Sequence, residues 1–343
     1  MLKAGLIGIG AMGRGHLDNF LRFMEEGYPV KLVAICDVDP ERFKNYESVH
    51  NVKGVGVREY DFSMFRCYYD YNEMIEKEEL DMVVVALPTF LHCEVSCKLL
   101  RRGINVLCEK PMAMTLEECQ KMIDTAKKAK KQLMIGQCMR FSRHCEILKE
   151  YVDTGAFGNV LSGYFFRGGS TPMHSYNGWI LQREKGGGAL FDQHVHDIDL
   201  VNWLFGLPKA VCSLGRTFFN EGGYDAVTTN YIYDDCKAIN SQDDWLLPDT
   251  DFWYTFRCNF VKGTITYDQT GFHIVNRAGE EITPDIEEEK GGDSYYNETK
   301  YFMDLIINGG ENTKNPPEES MQVVRIALAE TKSCDNCGQI IIL

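Results

Sequence analysis

The chain opens with an apolar run, Leu2-Lys3-Ala4-Gly5-Leu6-Ile7, followed directly by the turn Gly8-Ile9-Gly10-Ala11-Met12-Gly13. Beyond the turn, Leu17, Phe20, Leu21 and Met24 fall at i, i+3, i+4 and i+7, which puts them on one face of a helix. A second run, Val30 to Cys36, is mostly apolar on both faces, as a buried parallel strand should be, and it ends at Asp37. Three more apolar runs follow, Asp81 to Leu87, Ile104 to Cys108 and Gln132 to Ile135. Helical stretches separate them: a short one around Tyr71 to Ile75, one closing at Gly103, and one from Leu116 to Lys131. Strands alternating with helices predict a doubly wound parallel sheet, with ligands in the crevice outside the strand carboxyl ends.

From about residue 138 the pattern changes. After a helix from Ser142 to Asp153, strands are expected at Val160–Arg167, Ala210–Phe218, Thr228–Tyr233, Phe252–Phe260 and Gly263–Tyr267, without long crossovers, which favours an antiparallel sheet. Gly186 to Phe205, stopped by Gly206 and Pro208 and carrying Phe191, Val195 and Ile198, reads as one helix. Asp234 to Asp251, rich in Asp and polar residues and containing Pro248, reads as a long loop, either a functional lid or a surface excursion. A chain of 343 residues exceeds one ordinary core, so two domains are expected, 1–137 and 138–343.

Composition narrows the class. A chain 44% hydrophobic and 25% charged is that of a globular protein able to build a sizeable core. No apolar run is long enough to span a membrane and the N-terminus enters a strand at once, so no membrane partner and a cytoplasmic location are expected. A net charge of −14 argues against a nucleic-acid partner, which would need a basic surface. Thirteen cysteines without a leader read as reduced thiols. Cys334 and Cys337 form a C-x-x-C pair, but a structural zinc needs two further ligands, so no metal is expected and a surface turn is preferred.

The first turn carries the clearest chemistry. In G-x-G-x-x-G each glycine acts differently. Gly8 makes the tight turn, Gly10 lets backbone approach a pyrophosphate, and Gly13 lets helix pack on strand, with Ala11 and Met12 opening the helix whose N-terminus favours anions. Asp37 follows at about the ~20-residue interval expected of the acid that binds the adenosine ribose. Its carboxylate would repel a 2′-phosphate, so NAD is favoured over NADP, with Arg42 near enough to keep the preference open to test. Pro88, Thr89 and His92, and then Glu109 and Lys110, also lie at strand carboxyl ends. On the expected helix, Asp192, His196 and Asp199 fall at i, i+4 and i+7 on a face distinct from the apolar one, where acids beside a histidine suit proton transfer.

Taken together these residues resemble the Gfo/Idh/MocA family of NAD(P)-dependent sugar and polyol oxidoreductases. The resemblance rests on the glycine fingerprint, Pro88-Thr89 with His92, Glu109-Lys110-Pro111, Gly187-Gly188 followed by Asp192 and His196, and the closing helices before Gly338. It implies a Rossmann domain followed by an α/β domain on a large, open, mainly antiparallel sheet, used in homodimers or homotetramers. It also implies that Lys110 and His196 flank the reacting carbon with Asp192 beside them. Chemistry agrees, since oxidising an alcohol needs a base for its proton and a cation for the developing alkoxide. His196 is therefore expected as acid/base, Lys110 as alkoxide stabiliser and Asp192 as hydroxyl binder. Arg140, Arg143, Tyr176 and Trp179 are candidates for gripping the substrate. The expected activity is oxidation of a sugar, inositol or related polyol; an NAD-dependent glycosidase using transient oxidation and a non-catalytic NAD sensor are the alternatives.

Overall fold

The structure, a computed structural model, describes residues 1–45, 59–173, 175–219, 222–284 and 293–343. It packs as two compact units, the first formed by Met1–Cys138 with Tyr295–Glu318, the second by Met139–Ser294 with Glu319–Leu343.

In the first unit β1 (Leu2–Ile7), α1 (Ala11–Glu25), β2 (Val30–Cys36), β3 (Arg66–Tyr68), α2 (Tyr71–Lys77), β4 (Met82–Val85), α3 (His92–Arg101), β5 (Asn105–Cys108), α4 (Leu116–Ala129) and β6 (Leu133–Ile135) follow one another. The six strands form one sheet in the order β3-β2-β1-β4-β5-β6, every pair parallel. This is the doubly wound order with its switch point between β1 and β4. Leu6, Met82, Val83, Val84, Val85 and Val106 are fully buried, each stabilising the fold by about 1.5–3 kcal/mol on burial. The late segment Tyr295–Glu318 joins this unit: Tyr296 stacks on Phe23 with ring centroids 4.2 Å apart, and the Asn315 amide donates to the Ile135 carbonyl at 2.7 Å.

The second unit contains α5 (Arg143–Thr154), β7 (Val160–Gly168), α6 (Ala189–Asp192), α7 (Val195–Phe205), β8 (Ala210–Arg216), β9 (Ala226–Ile232), β10 (Ala238–Asp244), β11 (Trp253–Phe260), β12 (Gly263–Asp268) and β13 (Gly271–Asn276). Helices α8 (Ser294–Asn308) and α9 (Pro317–Asp335) and strand β14 (Ile341–Ile342) close the chain. Eight strands form a sheet in the order β13-β12-β11-β7-β10-β9-β8-β14, antiparallel at every pair except β7 with β10.

Two expectations are corrected. The stretch expected as a loop over 234–251 contains β10, a strand in the middle of the sheet that pairs with both β7 and β9. Of its inward residues Ile239, Ser241 and Asp243, two are polar, so the period-2 apolar signal of a half-buried strand is missing. The single helix expected from Gly186 to Phe205 is two, broken at Gln193 and His194. No described helix is long and apolar enough to cross a membrane.

Candidate functional site

In the first unit the site is built at the carboxyl ends of β1, β2, β4 and β5. Gly8 has φ +91°, and a side chain there would place its Cβ 2.2 Å from the Ala86 carbonyl oxygen. A Cβ on Gly13 would lie 2.0 Å from the Gly8 carbonyl oxygen, so helix and strand touch only because both residues lack one. Asp37 ties the turn to β2: its carboxylate accepts from the Ile9 amide at 2.7 Å and from the Asp39 amide at 3.0 Å. Pro88 and the buried Thr89 open the short helical turn after β4. His92 is buried between two carbonyls, that of Leu87 at 2.8 Å and that of Pro111 at 2.8 Å, and burial lowers its pKa. The imidazole thus joins the loop after β4 to the loop after β5.

Glu109 and Lys110 close β5. The Glu109 carboxylate meets the His16 imidazole at 2.7 Å and accepts from the Lys110 amide at 3.2 Å. Burial alone would raise the Glu109 pKa, but the His16 contact and the Lys110 charge outweigh it and hold the carboxyl below its usual range. The carboxylate in turn fixes the backbone from which Lys110 projects, and it leaves little room on the far side, where a Cβ on Gly136 would come within 3.1 Å of its Oε2.

In the second unit the loop Gly186-Gly187-Gly188 feeds α6. A Cβ on Gly188, at φ +73°, would lie 2.6 Å from the Tyr224 carbonyl oxygen, and the Asp192 amide bonds back to the Gly188 carbonyl at 3.0 Å. Asp192, at the end of α6, is partly exposed, whereas His196, in the first turn of α7, is 8% exposed. Around them α7 is anchored by buried ion pairs. Arg167 on β7 holds Asp197 at 2.8 Å, His194 meets Glu330 at 3.0 Å, and Arg140 grips Asp199 with Nε at 3.1 and 3.0 Å from the two carboxylate oxygens and a terminal nitrogen at 2.7 Å. Burial raises the pKa of Asp197 and of Asp199, and the facing guanidinium pulls each back.

These pairs sort the candidates. Asp199 faces Arg140 on the anchoring side of α7, so of the expected acid–imidazole–acid triplet it is the member committed to scaffold. Arg140 is fully buried and also pairs with Glu319, which leaves its guanidinium engaged inside the unit. Arg143 pairs along its own helix with Glu146 and Glu150, at 3.6 and 2.8 Å. Tyr176 is exposed and Trp179 half-buried.

Residues 2–137 match the oxidoreductase family with NAD-binding Rossmann fold, and residues 146–260 match the GFO/IDH/MocA C-terminal domain. The chain belongs to the Gfo/Idh/MocA family. Among curated relatives it is similar to an uncharacterized oxidoreductase of Streptococcus pneumoniae, 30% identical over 71% of this chain and 61% of the relative. It is also similar to 2,7-anhydro-N-acetylneuraminate hydratase of Mediterraneibacter gnavus, 29% identical over 63% of this chain and 54% of the relative. The chain therefore spans just over half the length of these relatives. Its fold is that of levoglucosan dehydrogenase solved with NADH and levoglucosan, at a TM-score of 0.80 and 22% identity, covering 99% of each chain. The first unit fits the cofactor of this Gfo/Idh/MocA fold. Gly10 faces open space, since a Cβ added there would meet nothing within 4 Å, and it begins α1 without a side-chain cap, leaving backbone N–H groups for a pyrophosphate.

Sequence reasoning passed over several residues that hold this candidate site. His16 lies three residues after the last glycine, on the same helix, and that spacing was the signal available for it. Arg167 gave a weaker one, as a charged residue in an expected strand, and Asp243 gave none, because its strand read as a loop. Gln193 and His194 gave none, because their contacts come from β10 and α9, distant in sequence. Among the described residues no group of three His, Cys, Asp or Glu side chains is arranged to hold a metal ion.

Proposed function

We propose that the protein is an NAD-dependent dehydrogenase that oxidises a hydroxyl of a sugar, an inositol or a related polyol, reversibly. The observation that supports it most strongly is the combination, in a chain of this oxidoreductase family, of Lys110 on a backbone fixed by Glu109 with Asp192 and His196 on the anchored α6 and α7. In the reaction the carbinol C–H leaves as a hydride and the hydroxyl gives up a proton, forming a carbonyl. Bound NAD supplies the hydride acceptor. His196 takes the hydroxyl proton, Lys110 stabilises the developing alkoxide, and Asp192 holds a neighbouring hydroxyl and orients the sugar. Glu109 and His92 shape the loops that carry Lys110 and the cofactor, together with Pro88, Thr89, Gly8, Gly10, Ala11, Met12, Gly13 and Asp37. Arg140 enters this proposal as the anchor of α7. NAD is preferred to NADP because the Asp37 carboxylate would repel a 2′-phosphate, and Arg42 already faces Asp39 at 3.6 Å.

We also propose a homodimer or homotetramer joined through the second sheet. The face turned away from α7 carries Tyr164, Thr228, Asn230, Gln242, Thr255 and Thr266, all of which stay solvent-accessible. Light scattering on the eluting protein checks this, and a monomer at micromolar concentration contradicts it.

The activity test follows reduced-nicotinamide absorbance with NAD and, separately, NADP over sugars, inositols, sugar acids and glycosides. The expected result is NADH formation with at least one polyhydroxy compound and little with NADP. Lys110→Met and His196→Ala should each lower kcat by about 100-fold or more while NAD still binds. The likeness to a hydratase favours a second reading, in which the hydride is taken and returned within one turnover. NAD binding with product formation but no net NADH would favour it, and a glycoside as the substrate consumed would make the protein a glycosidase. NAD binding with no turnover of any kind would leave a sensor.

A further inference from the structure

Between α6 and α7 the chain makes an irregular turn. The His194 amide reaches back five residues to the Ala189 carbonyl at 2.9 Å, while the His196 and Asp197 amides reach back only three, to Gln193 at 3.2 Å and His194 at 2.9 Å. Bonds of the tighter kind turn the chain about 120° per residue, against about 100° in an α-helix. The direction of His196 relative to Asp192 therefore depends on the geometry of residues 193 and 194, which a regular helix would not fix in this way.

Strand β10 and the residue just past it grip those two positions with Ser241 and Trp245. Ser241 Oγ lies 3.3 Å from His194 Nε2, on the nitrogen that also meets Glu330, and Ser241 is held in turn by the Tyr231 hydroxyl at 2.8 Å. Trp245, 1% exposed, donates its indole N–H to Gln193 Oε1 at 2.8 Å. An indole nitrogen can only donate, so this bond fixes the orientation of the Gln193 amide and turns its NH2 group the other way. Asp243, fully buried, is the inward side chain of β10 between Ser241 and Trp245, with Asp192, Asp197 and Arg167 nearby. A buried tryptophan thus fixes the glutamine through its carbonyl oxygen, while β10 meets the following histidine through Ser241.

We propose that Gln193 is a positioning residue, clamped by Trp245 so that Asp192 and His196 are presented to the same substrate. The proposal rests on the catalytic reading of Asp192 and His196 and adds what aims them. This clamp, with Ser241 on His194, also accounts for an inward serine on β10 where an ordinary sheet would be apolar.

The test uses the full chain with NAD and whichever compound of the sugar, inositol, sugar-acid and glycoside panel the wild type oxidises fastest, comparing Trp245→Phe, Gln193→Met, the double variant and His196→Ala. Trp245→Phe removes the N–H and keeps an aromatic ring, and Gln193→Met keeps the length and removes the amide. Each is expected to lower kcat about tenfold and displace the kcat–pH profile, leaving NAD affinity and melting temperature near wild type. The double variant should be no slower than the worse single one, since both break one contact. If His196→Ala abolishes turnover while Trp245→Phe and Gln193→Met stay within twofold of wild type with an unmoved profile, the clamp does not position the site. A loss of kcat that tracks a loss of melting temperature in both variants also overturns it, as a structural role. If His196→Ala itself turns over normally, or no compound of that panel is oxidised, the catalytic reading fails and the clamp proposal falls with it.

Discussion

The two units hold their candidate site residues by different means. In the first, site residues are tied to backbone: Asp37 to the Ile9 amide, His92 to two carbonyls, Glu109 to the Lys110 amide, and the glycines to carbonyls that a Cβ would strike. In the second, side chain holds side chain across long sequence separations, as in Arg140 with Asp199, Arg167 with Asp197, His194 with Glu330 and Trp245 with Gln193. A backbone-built site is a local shape that few residues can write. A site built from buried pairs depends on both partners being present, and it fails by leaving a charge alone.

The sharpest way to break the comparison is at the glycine turn. Gly8→Ala would combine a positive φ with a Cβ 2.2 Å from a carbonyl oxygen, so a loss of about 3 kcal/mol or more and loss of NAD binding are expected. Gly10→Ala meets no atom and should leave the melting temperature within a degree or two while weakening NAD binding. Thermal melts with and without NAD separate the two. An equal effect of both variants on stability would contradict the backbone account.

The next effect lies in the second unit. Arg140→Met should cost about 3 kcal/mol or more, because Asp199 is left buried and unpaired. Burial already raises the Asp199 pKa, and without Arg140 it rises further above the unfolded value. The unfolded chain then binds fewer protons than the folded one between those two values, so the variant loses stability as pH rises through that window. Denaturant unfolding at pH 7 and pH 5 checks the sign, with Arg140→Met expected closer to wild type at pH 5. Removing both charges, in Arg140→Met with Asp199→Leu, should be milder than Arg140→Met alone.

The same difference governed what the sequence could disclose. The parallel sheet, the glycine turn and Glu109-Lys110 were legible because a strand, a turn and a motif are written in consecutive residues. Asp192 and His196 could be named as candidates from their spacing, but not the break between them, because Gln193 and His194 have ordinary helical neighbours and owe their geometry to β10 and α9. Strand β10 was hidden for a related reason. Ser241 and Asp243 face inward, Ser241 against His194 in the turn between α6 and α7, so the hydrophobic alternation that marks a half-buried strand is missing. The joining of Tyr295–Glu318 to the first unit was equally unreadable, since Tyr296 on Phe23 and Asn315 on Ile135 are contacts across most of the chain.

A smaller effect is expected where the first unit uses a side-chain pair of its own. Glu109 is held below its ordinary pKa: burial acts to raise it, and His16 with Lys110 overcomes that. A depressed carboxylate contributes stability that is present above the unfolded value, near 4.5, and is lost as pH falls through the folded one. Glu109→Gln should therefore cost about 1–3 kcal/mol at pH 7 and flatten the fall of stability below pH 4.5. Urea titrations from pH 7 down to pH 3.5 read both quantities, and a wild-type-like acid limb in the variant would show that Glu109 is not the group responsible.

The smallest effect should come from Arg143, which the sequence offered as a substrate contact. Its guanidinium is partly exposed and pairs with Glu146 and Glu150 along one face of α5, at 3.6 and 2.8 Å. Exposed pairs on a helix contribute only about 0.3–0.5 kcal/mol, and salt screens them. Arg143→Ala is therefore expected to change stability by less than about 0.5 kcal/mol, and by less still at 1 M salt. If Arg143 only serves its helix, the substrate KM should also stay within about twofold of wild type. A tenfold rise in KM with stability unchanged would mean that this guanidinium leaves its helix partners to hold substrate. The second unit would then bind with an exposed, locally paired arginine as well as with residues anchored by buried pairs, and the contrast between the two units would have to be redrawn there.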